Sequence, residues 1–186
     1  MTRNIILYGV PGSGKTSLAR ALSESLKLPH LEADEVRRIG KQGKSPTANP
    51  FFFLPTTEAY QAFGARTSEN VIQGLLEVRN AYKDLVIKEI DTYKEGCIAE
   101  AAFLDPVSLK NKGLVILITV PDEKKHRQQF LEHRTEDAFT NGQFENARLI
   151  QDSLIKEAKE LNISTIENIL DLKFLIENMK ALVPAN

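Results

Sequence analysis

An α/β fold with a parallel sheet covered on both faces follows from three features of this 186-residue chain. Strand-like and helix-like segments alternate from end to end, the pattern of βαβ units. The run Leu114 to Val120 is apolar at every position but Thr119, as in strands buried on both faces in the middle of parallel sheets. The chain also opens as strand, glycine-rich loop and helix in immediate succession.

The elements follow in order. Ile5-Ile6-Leu7-Tyr8 is a β-rich run that stops at Gly9, and from Lys15 onward Leu18, Ala19, Leu22 and Leu26 recur at helical spacing. Pro29 to Glu32 predicts a short second strand, and Asp34 is placed to cap a helical turn carrying Val36, Arg37 and Arg38. From Lys41 to Thr56 periodicity disappears. Gly43, Pro46, Pro50 and Pro55 surround Phe51-Phe52-Phe53, which in a compact domain reads as a functional loop or lid. Ser68 is a cap candidate for a helix with Val71, Leu75, Val78, Tyr82, Leu85 and Val86 on one face, ending near Gly96, as one helix or two joined by a kink. Cys97-Ile98-Ala99 predicts a buried strand closing on Glu100. Beyond Leu114 to Val120, helices are predicted over Glu123 to Arg134 and Glu145 to Leu161, with Asn162 as a left-handed stop. A last strand covers Ile163 to Ile166, and a terminal helix Leu170 to Leu182.

Composition narrows the function classes. Hydrophobic residues make up 42% and charged residues 26%, which argues against disorder, collagen-like repeats and coiled coil. Lys plus Arg number 24 against 25 Asp plus Glu, a formal charge of -1, so no global field gathers nucleic acid or anionic lipid. Any anion site must be local, and the expected partner is a small molecule rather than a nucleic acid or a membrane. Cys97 is the single cysteine and forbids an intramolecular disulfide. Neither a signal peptide nor a membrane-length apolar run is present, so the cytoplasm is the expected compartment. The length suits one domain over residues 1–186, and the oligomeric state is not readable.

Gly9-Val10-Pro11-Gly12-Ser13-Gly14-Lys15-Thr16 matches GxxxxGK[ST] in full and lies between a predicted strand and a predicted helix, the context the motif requires. Its glycines let consecutive backbone N–H groups point at one phosphate cluster, and the helix adds its positive end. Gly9, Pro11, Gly12, Ser13, Gly14, Lys15, Thr16 and Ser17 are therefore the candidate ATP-binding residues. Lys15 reaches the β and γ phosphates, and Thr16 places its hydroxyl on Mg²⁺. This predicts a P-loop NTPase fold. Switch GTPases are set aside because no Asn-Lys-x-Asp follows a central strand, Leu114 to Val120 running instead into Pro121-Asp122. Large ATPases are set aside because the matching strand ends Ala99-Glu100 rather than Asp-Glu and the chain is short for an ATPase core. A small kinase fits best.

Phosphoryl transfer asks for a carboxylate near the acceptor and cations over the γ phosphate. Asp34 and Glu100 follow predicted strands whose ends face the crevice, and each could be the base or hold a Mg²⁺-bound water, or make only a cap or a structural hydrogen bond. Arg127 and Arg134 lie on one face of a helix leading into a polar stretch, so residues 127–143 read as a lid, with Arg148 beginning the next helix. Arg37, Arg38 and Arg66 flank the irregular segment and are candidates for an anionic acceptor, with residues 40–95 as an acceptor-binding helical lobe. Phe51-Phe52-Phe53 could line an acceptor pocket, although aromatic clusters in long loops are more often the anchor that holds the loop down. His126 and His133 do not have the i, i+4 spacing of a helical metal pair, and Cys97 reads as a small core residue.

With these residues together, the chain resembles the P-loop kinases of the nucleoside-monophosphate-kinase type, most closely the 2-phosphoglycerate kinases. The resemblance rests on Gly9 to Thr16, Thr67 to Gly74, Glu95 to Glu100, Asp122-Glu123 with His126-Arg127, Phe130 and Arg134, and Arg148 through Ala158. It implies a five-stranded parallel sheet, ATP with Mg²⁺ and a phosphorylated hydroxy acid as acceptor. It also matches Glu100 to the family's glutamate, and Arg134 and Arg148 to its lid-side arginines. The chain departs from the pattern after Glu100, where Ala101-Ala102-Phe103 puts a phenylalanine in place of a histidine. The expected activity is ATP-dependent transfer to a small metabolite. The alternatives are a nucleotide or nucleic-acid-end kinase, and an ATP-binding switch or assembly factor.

Overall fold

The computed structural model describes residues 4–132 and 141–168 together with Lys173, Phe174, Ile176 and Glu177. The chain runs β1 (Ile5–Tyr8), α1 (Lys15–Leu26), β2 (His30–Glu32), α2 (Ala33–Gly40), 3₁₀ turns at Pro50–Phe52 and Ala59–Phe63, then α3 (Ser68–Ile90) and β3 (Ile98–Ala101). It continues through α4 (Pro106–Leu109), β4 (Leu114–Thr119), α5 (Glu123–Leu131), α6 (Gln143–Glu160) and β5 (Ser164–Glu167). The five strands form one sheet in the order β2-β3-β1-β4-β5, every pairing parallel. The α/β fold class read from the sequence is the one observed.

Side chains alternate across a strand, and the core divides accordingly. Ile5, Leu7, Ile98, Ile116 and Ile118 face Leu18, Ala19 and Leu22 of α1 on one side of the sheet. Ile6, Tyr8, Ala99, Val115 and Leu117 face α3 and α6 on the other, through Val71, Leu75, Val78, Tyr82, Ala147, Ile150 and Leu154. Among the described residues no helix is long and apolar enough to cross a membrane.

Several boundaries differ from the sequence reading. Helix α2 starts at Ala33, with Glu32 as N-cap making no side-chain cap bond, so Asp34 is inside the first turn and not the cap. The cap of α3 is Thr67, whose hydroxyl accepts from Asn70 N–H at 3.2 Å, and Ser68 becomes the first helical residue. Helix α3 runs unbroken for 23 residues to Ile90, and turns ending at Gly96, with φ of 101°, carry the chain to the sheet. Helix α6 begins at Gln143 rather than Glu145, behind Gly142 at φ 69°. The short α4 was not foreseen, although Asp105 caps it by accepting from Val107 and Ser108 N–H. Asn162 does adopt the left-handed conformation that stops α6. His133, Arg134 and most of the predicted terminal helix lie outside the described residues.

The irregular segment is held down by its phenylalanines. Phe51 stacks on Phe63 at 5.8 Å and Phe52 on Tyr82 at 5.0 Å, while the Tyr82 hydroxyl donates to the Phe52 carbonyl at 2.7 Å. This anchoring brings Pro55 and Thr56 to the crevice at the carboxyl ends of β1, β2 and β3.

Candidate active site

The loop between β1 and α1 wraps tightly at its glycines. Gly12 and Gly14 have φ of 77° and 83°, a region that disfavours any residue with a Cβ. A Cβ at Gly12 would also meet the backbone N and Cα of Phe130 at 2.9 Å, so α5 packs directly on the loop. Gly14 is the N-cap of α1 without a side-chain cap bond. Helix geometry leaves the first-turn N–H groups without intrahelical acceptors, an arrangement that suits an anion above the loop. Lys15 is 7% exposed and folds over the loop, its Nζ donating to the Val10 carbonyl at 2.8 Å and to Ser13 Oγ at 3.3 Å. Thr16 and Ser17 follow on the exposed side of the first turn.

Beside the loop lies a cleft of about 550 Å³, lined by Pro11, Gly12, Lys15, Thr16 and Arg20 of the loop and α1, by Glu32, Arg37, Pro55 and Thr56, and by Glu100 to Phe103. Sheet register explains the carboxylates, because Glu32 and Glu100 are paired positions at the ends of β2 and β3. The Thr16 hydroxyl donates to Glu100 Oε1 at 3.0 Å. Glu32 accepts from Arg20 Nη2 at 3.1 Å on the exposed rim. Asp34 lies one half-turn into α2, and its side chain is outside the described residues.

Of the candidate cations, Arg37 is brought to the cleft. Its guanidinium lies over the Phe103 ring at 4.8 Å and the Tyr82 ring at 5.5 Å, so aromatic faces from α3 and from the segment after β3 hold it in place. Phe103, in place of the histidine of the resemblance, is 3% exposed and serves as that platform. Arg38 turns outward and pairs with Glu35 at 2.5 Å on the surface, so it is not at the cleft. Arg66 does not line it either: it is exposed, with its guanidinium against Gly142 at the start of α6. Arg127 lies over Phe144 at 4.6 Å and 4.0 Å from Glu145, also away from the cleft. Arg148 donates to the Val120 carbonyl at 2.7 Å and Pro121 carbonyl at 3.4 Å, so its charge is spent on the end of β4 rather than on the cleft wall. Arg134 lies outside the described residues.

Sequence reading missed several residues. Glu32, Arg20 and Thr56 line the cleft, and the cue for Glu32 was its place at the end of the second strand, where Asp34 was preferred. His126 and Asn168 hold the phosphate loop from behind. The Asn168 amide donates to the Ser13 carbonyl at 3.0 Å, and His126 Nε2 lies 2.9 Å from the Pro11 carbonyl oxygen. Burial is the main force pushing the His126 pKa down, with Arg148 and Lys15 adding to it. Cys97 is a core thiol, pushed up to about 12 by burial, which leaves it unreactive.

A match to the ATPase family associated with various cellular activities (AAA) runs over residues 5–140. The chain belongs to this family. The match takes in the P-loop core, so the length and strand-end arguments that set large ATPases aside bear on the kind of protein built on that core, not on the core's membership. The chain is 31% identical over 127 residues to adenylate kinase 1 of Synechocystis sp., covering 66% of this chain and 64% of that protein. It is 28% identical over 122 residues to the adenylate kinase of Ruminiclostridium cellulolyticum, covering 64% of this chain and 54% of that protein. The chain thus spans between about half and just under two thirds of the length of these relatives. Among solved structures it is similar to a shikimate kinase from Bacteroides thetaiotaomicron, with a TM-score of 0.58, 15% identity and 97% of each chain covered. It is also similar to the deoxyadenosine kinase from M. mycoides with bound dATP, with a TM-score of 0.57, 13% identity, and 98% of this chain and 100% of that chain covered. These likenesses show the P-loop kinase fold, and these relatives and neighbours are phosphotransferases. None of these four proteins is a 2-phosphoglycerate kinase.

Proposed function

We propose that this chain is an ATP-dependent kinase that passes the γ-phosphoryl group to a small, anionic, hydroxylated metabolite. The observation that supports it is one cleft lined together by the phosphate-loop Lys15 and Thr16, by Arg37 held on aromatic rings, and by the carboxylates Glu32 and Glu100. Such a cleft suits in-line transfer with electrostatic stabilisation, with no covalent enzyme intermediate. The backbone N–H groups of the loop and the first turn of α1 would hold the phosphates. Lys15, exchanging its Val10 contact for a phosphate oxygen, would balance charge on the transferring group. Thr16 and Glu100 present hard oxygens 3.0 Å apart, a donor pair that fits Mg²⁺. When bound there, Mg²⁺ would neutralise phosphate charge, with Thr16 as a direct ligand and Glu100 or Asp34 acting through water. The other of these two carboxylates would accept the acceptor hydroxyl proton.

For the acceptor, Arg37 on the cleft supports a carboxylate or phosphate, because bidentate guanidinium pairing suits both. Residues 40–95 then act as the acceptor lobe and 127–143, carrying Arg127 and Arg134, as the lid. The first compound to try is 2-phosphoglycerate, with related hydroxy acids next. A nucleoside monophosphate is the second reading, favoured by the adenylate kinase relatives. A panel of hydroxy acids, sugars and nucleoside monophosphates at saturating Mg-ATP decides between them by acceptor-dependent ADP release. Preference for a monophosphate selects the second reading, and ADP release that ignores every acceptor overturns both. Asp34→Asn and Glu100→Gln assign the base, which is whichever substitution lowers kcat while leaving Mg²⁺ dependence unchanged.

A further inference from the structure

His126 is absorbed by none of the roles above. It is fully buried on α5, with its imidazole 6.2 Å from the Phe130 ring and 5.0 Å from the Phe144 ring. Its Nε2 lies 2.9 Å from the Pro11 carbonyl oxygen and its Nδ1 lies 3.5 Å from Arg148 Nη1. A carbonyl can only accept and a guanidinium can only donate. The two partners together therefore select the neutral imidazole with its hydrogen on Nε2. Arg148 is itself fixed by its 2.7 Å bond to the Val120 carbonyl, so the ring is referenced to the end of β4 as well as to the loop.

The consequence lies on the other side of the Pro11–Gly12 peptide. A planar trans peptide points its C=O and N–H in opposite directions. With the Pro11 carbonyl turned toward α5, the Gly12 N–H turns away from α5, toward the cleft that Pro11 and Gly12 line. Glycine at φ 77° has little intrinsic preference against rotating this peptide, so something outside the loop must hold it. We propose that His126 is a positioning residue of the phosphate site: by donating to the Pro11 carbonyl it locks this peptide with the Gly12 N–H aimed at the nucleotide phosphates. The inference rests on the reading of the loop as a nucleotide-phosphate site and assigns a new residue to it. The charged groups facing the ring are Arg148 from α6, Lys15 from α1 and Glu123 from α5; burial first, then Arg148 and Lys15, lower its pKa against the opposing pull of the Pro11 hydrogen bond and Glu123.

The test is Mg-ADP binding to the full chain by calorimetry. His126→Leu removes the donor at similar volume and should weaken Mg-ADP by about 10-fold, the scale of one oriented hydrogen bond. His126→Gln places an amide N–H where Nε2 stood and should restore affinity to within about twofold, whereas His126→Asn, whose amide maps onto Nδ1, should not. A purely structural role would make Gln and Asn equivalent. His126→Leu that binds within about twofold of the unaltered chain overturns the proposal while leaving the phosphate site standing. If His126→Leu does not fold, equal affinities of the Gln and Asn variants overturn it. An unaltered chain that does not bind Mg-ADP overturns the phosphate-site reading and the proposal with it.

Discussion

Lys15→Met separates chemistry from folding at the centre of the site. The Lys15 ammonium donates to the Val10 carbonyl at 2.8 Å, but that carbonyl also accepts the Ser13 N–H at 3.2 Å, so it keeps a partner when the lysine is gone. Ser13 Oγ loses a 3.3 Å contact and can rotate to another. Methionine retains most of the buried stem, and the desolvation cost of a nearly buried cation disappears. The net change in stability is therefore expected to be within about 1 kcal/mol. The transition state is different, because a preorganised donor aimed at developing charge is worth about 10²- to 10³-fold in rate. Urea unfolding measures the first quantity, and acceptor-dependent ADP release at saturating Mg-ATP measures the second. Turnover within about tenfold of the unaltered chain would remove Lys15 from the mechanism. A loss of stability above about 3 kcal/mol with proportionate activity loss would make it a structural residue.

The two adjacent arginines of α2 should behave oppositely. Arg37→Ala raises the acceptor KM by about 10-fold or more, whereas Arg38→Ala, which removes an exposed pair with Glu35, changes it by less than about twofold. Steady-state kinetics with the acceptor found in the panel checks both, and equal effects would contradict the assignment. Arg79→Met should cost about 3 kcal/mol in urea unfolding, because a 4%-exposed guanidinium bridging α3 to Glu157 of α6 leaves that carboxylate beside the buried Tyr8 hydroxyl. Adding Glu157→Leu should recover much of the loss, and no recovery would argue against a pairing effect. Acid should also weaken the fold through His126. Burial, with Arg148 and Lys15, depresses its folded pKa below the ordinary value of about 6.5, so the unfolded chain takes up the proton first. This contribution is complete above about 6.5 and is lost as pH falls from there toward the folded-state value, so the stability of His126→Gln should decline less steeply over that window.

How much of this was legible in the sequence depends on the reach of the signal. Periodicity is local, and it located every strand to within about two residues and the face of α3 that packs on the sheet. The α3 cap shifted by one residue because neighbouring side chains compete for the same N–H groups. Thr67 and Ser68 can both cap, and the chain path into the helix selects Thr67. The four-residue α4 has too few positions to show a period at all, and only its Asp105-Pro106 start carries a signal.

The site divides along the same line. The phosphate loop was legible because its residues are contiguous and each meets a local demand, glycine for φ and lysine for charge. Arg37 was read onto the cleft it lines, but the places of Arg66, Arg127 and Arg148 were not legible, because a guanidinium goes to whichever acceptor the fold places within reach, and that acceptor is set by tertiary neighbours. Arg148 lies in the second turn of α6, yet the end of β4 turns the Val120 and Pro121 carbonyls toward it. Those carbonyls need donors because the strand has ended, and Gln151 also donates to Val120, so the demand comes from the end of β4 rather than from a ligand. The same bookkeeping of carbonyls makes His126 readable after the fact. Its spacing to His133 excluded a helical metal pair but said nothing of Pro11, which is 115 positions away in sequence. A buried histidine on the helix behind a glycine-rich loop is the pattern to look for: the loop's outward carbonyls need a donor, and a neutral ring supplies one without adding a charge to compete for the phosphates.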